Sequence, residues 1–160
     1  VVSAAQNLSD ITFVIVGGTE KDIAKYEAIK KEQNISNLVF LGHRSRKDIP
    51  VLLRAADVLL LPNVAVSAES EKYTSPLKMF EYMASSTPIL ASDLPSIQEI
   101  LDTDTATFFK AGDVVGFTRA LEGVMERTAE SESKAVKARA KSESYSWSGR
   151  AQAILNFIKG

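Results

Sequence analysis

Short, fully apolar runs alternate with amphipathic stretches through the first two-thirds of the chain. Each run is rich in Val, Ile, Leu or Phe and is bounded by Gly, Pro or polar residues, which predicts a strand. Strands without polar alternation are typical of parallel sheets buried on both faces. The predicted strands cover residues 12–16, 38–41, 57–61, 88–91 and 106–109.

Helical periodicity fills the stretches between these runs, and the predicted helices cover residues 20–31, 45–56, 76–86 and 95–101. Ser45 is expected to cap the second helix, although Pro50 moves its start toward Asp48. Asp93 or Ser92 is expected to cap the fourth. The alternation predicts an α/β, Rossmann-like fold: a doubly wound parallel sheet with helices on both faces.

The last third of the chain is predicted to be helical. Asp113 can cap a helix to about Met125, and residues 128–145 are typical of a solvated helix or a partly mobile link. Ser146 can cap a final helix at about 146–158. Its apolar face needs a packing partner, which we expect to lie partly outside this chain; the face consists of Trp147, Ala151, Ile154, Leu155 and Ile158.

Composition narrows the possible functions. The 160 residues fit a single domain, and the absence of Cys excludes disulfides and thiolate metal sites. His43 is the only histidine, so a multi-histidine metal site is excluded. A net charge of −1 gives no general attraction to nucleic acid. No apolar run is long enough to span a bilayer, so we expect a cytoplasmic protein, and the start at Val1 suggests a fragment.

The segment YTSPLKMFEYMASSTPILASD, residues 73–93, carries the strongest functional signal. It follows the apolar run DVLLLP, so Tyr73, Thr74 and Ser75 are predicted to lie beyond the carboxyl end of a parallel strand. Open α/β sheets bind their ligands at this edge. Ser75 and Pro76 suit the start of a helix, and this capping role is by itself a sufficient explanation for both.

The predicted helix start also suits an anion. The free N–H groups of Leu77 and Lys78 and the helix dipole would attract a phosphate. Lys78 could instead simply pair with Glu81, one turn away. The predicted buried stripe consists of Leu77, Phe80, Met83 and Ala84.

Glu81 is expected to need polar partners if this helix is largely buried, and ribose hydroxyls would serve. An ordinary surface carboxylate is the alternative. Ser75-x-x-Lys78 also matches a motif of penicillin-binding enzymes, but no K-T-G follows it.

Two further loops follow predicted strands. Gly17 and Gly18 end the first strand, and His43 and Arg44 follow the second. The simplest interpretation is that Gly17 and Gly18 form a turn and that His43 and Arg44 lie in a solvated loop. The functional alternative is that both loops face a nucleotide. Neither a G-x-G-x-x-G fingerprint nor a Walker-type P-loop is present.

With these residues in view, the chain resembles the C-terminal, donor-binding domain of a GT-B glycosyltransferase of group 1, also called family 4. The resemblance runs through nearly the whole chain. It is carried by FVIVGG, NLVFLGHRSRKDIPVLLRAADVLLLP, SPLKMFEYMASSTPILASDLPSIQEIL and YSWSGRAQAILNFI.

The resemblance implies a nucleoside diphosphate sugar, of UDP or GDP, as donor substrate and no cofactor. Glu81 matches the glutamate that holds the ribose, and Lys78 joins it as a catalytic candidate. Ser75, Leu77 and Lys78 match the helix start near the diphosphate and the sugar. Gly17 and Gly18 match the loop that closes on the nucleotide, and His43 and Arg44 match the loop beside the base.

The resemblance further implies sugar transfer with retention of configuration. A missing N-terminal domain would bind the glycan, lipid or small-molecule acceptor and could associate peripherally with a membrane, so this domain alone should be inactive. Tyr73 occupies the position of a second family glutamate, eight residues before Glu81. Two alternatives stay open: a non-catalytic nucleotide-binding or partner-docking domain, and a GT-B sugar-nucleotide epimerase.

Overall fold

The computed structural model describes residues 1–64 and 77–159. The predicted site residues Tyr73, Thr74 and Ser75, together with Pro76, lie outside the described residues.

The strands of the described residues are all parallel, as predicted. They form two hydrogen-bonded sheets, β1 paired with β2 and the order β3–β4–β5. The core is nevertheless continuous, because Leu60 of the second sheet packs into the same cluster as Phe13 of the first. The strands are β1 (Phe13–Val16), β2 (Leu38–Gly42), β3 (Leu59–Leu61), β4 (Ile89–Ser92) and β5 (Thr107–Phe109).

The helices between the strands agree with the sequence pattern, whereas the first helix was not predicted. That helix buries Ala4 and Ala5, small residues that give little hydrophobic signal in a sequence. The α-helices in the described ranges are α1 (Val2–Asn7), α2 (Glu20–Glu32), α3 (Ile49–Ala55), α4 (Lys78–Ser85), α5 (Pro95–Gln98), α6 (Val114–Met125), α7 (Ala129–Ser142) and α8 (Trp147–Lys159).

Helices cover both faces of the strands, which confirms the predicted layering. On one face, α1 and α6 bury Ala5, Phe117 and Leu121 in a cluster that also contains side chains of β1, β2, β4 and β5, and Phe117 stacks edge-on against Phe109 of β5. On the other face, α4 and α7 bury Met83 and Ala138 against β3 and β4. Each layer removes apolar surface from water, which is the main stabilising contribution to such a fold.

The predicted cap of α3 was wrong. Asp48, not Ser45, occupies the N-cap position, and Pro50 lies in the first turn, where its missing N–H is tolerated. The Asp48 carboxylate accepts a hydrogen bond from Ser45 N at 3.2 Å, and Asp48 N donates to Ser45 O at 3.0 Å. These two bonds close the turn that leads into α3.

The predicted caps of α5, Ser92 and Asp93, were also wrong, because both side chains have other hydrogen-bond partners. Leu94 is the N-cap residue. Ser92 Oγ donates to the carbonyl oxygen of Leu61 at 3.2 Å, and Asp93 accepts from Ala111 N at 2.7 Å. Ser92 therefore bridges β4 and β3, and Asp93 holds the end of β5.

The two helices at the end of the chain differ in their packing. Helix α7 is docked, with Ala135 and Ala138 buried, so its sequence specifies a helix and not a link. Helix α8 confirms the predicted final helix but buries no residue, and Trp147 is 83% exposed. In the described ranges, no helix is both long enough and apolar enough to cross a lipid bilayer.

Candidate functional site

The carboxyl ends of β1 and β2 meet at one edge of the first sheet. Gly17 N donates to the carbonyl oxygen of Gly42 at 2.8 Å. Gly17 and Gly18 have φ values of 95° and 91°, a region that residues with a Cβ rarely occupy. The sequence therefore needs glycine here for its backbone conformation, and the turn brings the glycine loop next to the loop after β2.

His43 and Arg44 begin the loop after β2, and both side chains are exposed. Their placement at the strand's carboxyl end agrees with the prediction. The loop ends in the turn closed by Ser45 and Asp48, so Arg46 is carried on a hydrogen-bonded turn at the entrance to α3.

Helix α4 begins at Lys78, two residues later than predicted. Leu77 is its N-cap residue and is 82% exposed, so its assignment to the buried stripe was wrong. A residue before the helix does not follow the 3.6-residue period, which explains the error. Met79 and Met83, one turn apart, carry the buried face instead.

Glu81 lies on the outer side of α4 and is exposed. The helix is largely buried, as expected, but its carboxylate is not, which agrees with the alternative of a surface carboxylate: Glu81 is two residues from both Met79 and Met83, about 200° of helical rotation from the core. Among the described residues Glu81 has no salt-bridge partner, so the suggested pair with Lys78 is not formed.

Burial affects two ionisable groups beside Glu81. Desolvation lowers the pKa of the Lys78 ammonium. Desolvation, and then the negative charge of Glu81, raise the pKa of the Tyr82 hydroxyl. Lys78 as a residue is exposed, so the start of α4 carries an accessible positive charge.

A cavity of about 430 Å³ lies beside Glu81, between α3 and α4. Its volume is in the range of small-molecule sites. The lining combines three guanidinium groups, one carboxylate and an apolar wall, and Arg139 in this lining donates from Nη1 to the carbonyl oxygen of Ala84. The lining residues are Arg46, Ile49, Pro50, Leu53, Arg54, Glu81, Ala84, Ser85 and Arg139.

The predicted site residues are only partly brought together. Glu81 lines the cavity, and Lys78 does not. The remaining predicted residues lie at the ends of β1 and β2 and do not line it either: Gly17, Gly18, His43 and Arg44. A second depression, of about 690 Å³, surrounds Asn34 at the amino end of β2. That position is on the opposite edge from the strand ends that bind ligands in this type of fold.

Sequence reasoning missed the cationic lining. Arg46 follows the second strand and could have been found by its position, but Arg139 lies 55 residues after Ala84 and has no local signal.

Two buried atoms also have no partner among the described residues, Asn63 Oδ1 and Ser96 Oγ. Within the same ranges, no cluster of three or more His, Asp or Glu side chains is suitable for a metal ion.

The chain matches the family described as glycosyl transferases group 1 over residues 1–127. A Bacillus subtilis (strain 168) protein, TuaH, whose name assigns it to teichuronic acid biosynthesis as a glycosyltransferase, is 24% identical over 124 residues. That match covers 76% of this chain and 30% of TuaH.

Several solved structures share the fold. HepE of Anabaena, crystallised with UDP, superposes with a TM-score of 0.82 at 19% identity, covering 99% of this chain and 43% of HepE. Sucrose-phosphate synthase of Thermosynechococcus elongatus gives 0.83 at 18% identity, covering 99% of this chain and 40% of the synthase. The chain therefore spans less than half the length of these relatives.

Proposed function

The chain belongs to the group 1 glycosyl transferases, and we propose that it is the domain that binds the nucleoside diphosphate sugar donor. The observation that carries this proposal is the position of Glu81, which matches the family's ribose-binding glutamate and lines a cavity of about 430 Å³ between α3 and α4. UDP is supported as the nucleotide because HepE, which shares the fold, was crystallised with UDP.

Each site residue has a role in this proposal. The Glu81 carboxylate accepts hydrogen bonds from the ribose hydroxyls. Ser75, Leu77 and Lys78 hold the diphosphate and the sugar through the positive end of the helix dipole and the Lys78 ammonium. Gly17 and Gly18 close on the nucleotide, and His43 and Arg44 border the base.

The proposed chemistry is transfer of the sugar with retention of its configuration. Charge accumulates on the leaving diphosphate, and the helix start and Lys78 stabilise that charge by preorganised electrostatics. No cofactor or metal ion is part of this mechanism. Tyr73, in place of the second family glutamate, removes one carboxylate from the region of the transferred sugar.

The acceptor, a glycan, a lipid or a small molecule, is bound by a further part of the protein in this proposal. The chain alone therefore binds the donor but transfers no sugar. An assay of sugar release from UDP-glucose and GDP-mannose should show no turnover by the purified chain, and efficient turnover would contradict the division of roles.

Isothermal titration calorimetry with UDP tests the role of Glu81. Glu81→Ala should weaken UDP binding about tenfold or more, since hydrogen bonds to a charged group contribute about 1.5–3 kcal/mol. The matched control is Glu122→Ala, which removes an exposed carboxylate from α6 and should leave the affinity unchanged. Equal affinities of the wild type and Glu81→Ala would reject the proposed role.

A further inference from the structure

Helix α3 forms one wall of the cavity beside Glu81, but it is held by little apolar burial. It contributes Ile49 and Leu53 to the lining, yet none of its residues is buried. Helix α4, on the other side of the cavity, buries Met79 and Met83. Because apolar burial is the main force that fixes a helix in place, the separation of α3 from α4 depends strongly on other contacts.

The side chain of Thr87 supplies such a contact. Thr87 is buried, and its Oγ1 donates a hydrogen bond to the carbonyl oxygen of Leu53 at 2.9 Å. Leu53 lies in the last turn of α3, where carbonyl groups have no partner within the helix. In the part of the chain that the structure describes, this is the one side-chain hydrogen bond that joins α3 to another element. It satisfies a free carbonyl and ties α3 to the turn after α4.

Two further hydrogen bonds fix Thr87 to α4. Thr87 N donates to Ser85 Oγ at 3.2 Å, and Ser85 Oγ donates to the carbonyl oxygen of Tyr82 at 2.7 Å. Ser86, between them, has a φ of 63°, the left-handed conformation that ends the helix. Ser85 lines the cavity on the α4 side and Leu53 on the α3 side. These bonds therefore connect the backbone of α4 to the backbone of α3 at one end of the cavity.

We propose that Thr87 is a positioning residue, which holds α3 at the distance from Glu81 that a bound nucleotide requires. Thr87 does not itself line the cavity, so it acts through Leu53 and α3. The proposal rests on the proposed function, because it takes Glu81 as the ribose-binding residue. A cavity that already has its width before binding loses less conformational freedom when the ligand enters.

Replacing the hydroxyl of Thr87 tests the role of its hydrogen bond. Thr87→Val puts a methyl group in place of the hydroxyl and leaves the carbonyl oxygen of Leu53 without its donor. Calorimetry should show UDP binding about fivefold more weakly, since α3 must then be ordered on binding. Thr87→Ser restores a hydroxyl and should return the affinity to within about twofold of the wild type. A folded Thr87→Val with wild-type affinity would overturn the proposal.

Thr105→Val is the matched control, because it separates positioning from stability. Thr105 is also buried, and its Oγ1 donates to the carbonyl oxygen of Asp102 at 3.1 Å in the loop before β5, away from the cavity. Urea denaturation should show that both valine variants are less stable than the wild type. Only Thr87→Val should also bind UDP more weakly. An equal loss of UDP affinity in both variants would mean a general effect of destabilisation and would overturn the positioning role.

A distance measurement tests the spacing of the helices without any nucleotide. The chain has no Cys, so two introduced cysteines can be spin-labelled specifically. Val51 on α3 and Val136 on α7 are both exposed, and α7 serves as the reference because it packs on α4. Pulsed electron paramagnetic resonance should give a broader distribution of distances in Thr87→Val than in the wild type or Thr105→Val. An unchanged distribution would contradict the role of Thr87 in spacing α3 from α4.

The outcomes separate this inference from the proposed function. If Glu81→Ala weakens UDP binding and a folded Thr87→Val does not, the proposed function stands and the positioning role fails. If the wild type does not bind UDP, the proposed function fails, and the positioning role for a nucleotide fails with it.

Discussion

Helices α4 and α8 both have an amphipathic sequence, yet one is buried and the other is not. In α4, Met79 and Met83 are fully buried. In α8, Phe157 is 89% exposed and Ile158 is 73% exposed. The same periodicity thus leads to a core helix in one case and an uncovered one in the other.

The difference shows what a hydrophobic pattern can and cannot specify. A period of 3.6 residues determines which side of a helix is apolar. It does not determine whether the covering surface belongs to the same chain. Helix α4 packs against Ile89 and Ala138 of this chain, whereas α8 packs mainly against the short 3₁₀ segment Glu143–Tyr145.

The largest expected effect comes from shortening a buried side chain of α4. Met83→Ala should lower the free energy of unfolding by about 2–5 kcal/mol, because it removes buried contacts and leaves a cavity. Phe157→Ala in α8 should change it by less than about 0.5 kcal/mol. Urea denaturation of both variants measures the contrast, and similar losses would show that α8 is packed in solution.

Removal of a helix cap should again lower the free energy of unfolding more in a packed helix than in α8, but by a smaller amount. Asp113 accepts a hydrogen bond from Gly116 N at 3.0 Å at the start of the packed helix α6, and Ser146 accepts one from Gly149 N at 3.1 Å at the start of α8. Asp113→Ala should cost about 1 kcal/mol of unfolding free energy.

Ser146→Ala should leave the global unfolding free energy unchanged and increase hydrogen exchange only in α8, because an undocked helix opens locally. A global loss equal to that of Asp113→Ala would mean that α8 unfolds together with the core.

The smallest effect is expected where α7, the last docked helix before α8, is joined to the loop before β5. Lys141 Nζ lies 2.7 Å from Asp102 Oδ2, and this hydrogen bond is the main reason why the pKa of Asp102 is lowered below 3.8. A carboxylate with a lowered pKa stabilises the fold above its unfolded pKa, and this stabilisation is lost as the pH falls through the folded pKa.

Asp102→Asn should therefore cost a few tenths of a kcal/mol at neutral pH, since the pair is half-exposed and screened by solvent. The difference from the wild type should shrink as the pH falls below the unfolded pKa of an aspartate, about 3.9, and through the lower folded pKa. Urea titrations from pH 8 down into this acidic range test this, and a difference that does not change with pH would contradict the assignment to the ion pair.

The sequence predicted the framework of this fold well. Runs such as LVFL were assigned correctly because strands buried on both faces are apolar throughout. Asp113 and Ser146 were correctly assigned as caps, since capping depends on residues within one turn. Helix α1 was missed because its buried residues, Ala4 and Ala5, are small.

The candidate site was less predictable because it depends on distant parts of the chain. The position of Glu81 on α4, on a different face from the buried stripe, was predicted, but the residues that form the cavity beside it were not, since these depend on how α3 and α7 pack around α4. Arg139 joins the cavity only through the docking of α7. The caps at Ser92 and Asp93 failed because tertiary hydrogen bonds competed for these side chains, whereas Ser45 was displaced as cap by Asp48, whose carboxylate closes a local turn with Ser45 N.

The order of strand pairing affects how the protein folds. Every paired strand of the described residues has a partner that directly precedes or follows it along the chain. During synthesis, the earlier strand of each pair has therefore already left the ribosome when the later strand emerges. Contacts of short sequence separation also form quickly. Pulse-labelling during refolding should show that the amides within each hydrogen-bonded sheet, β1–β2 or β3–β4–β5, become protected together.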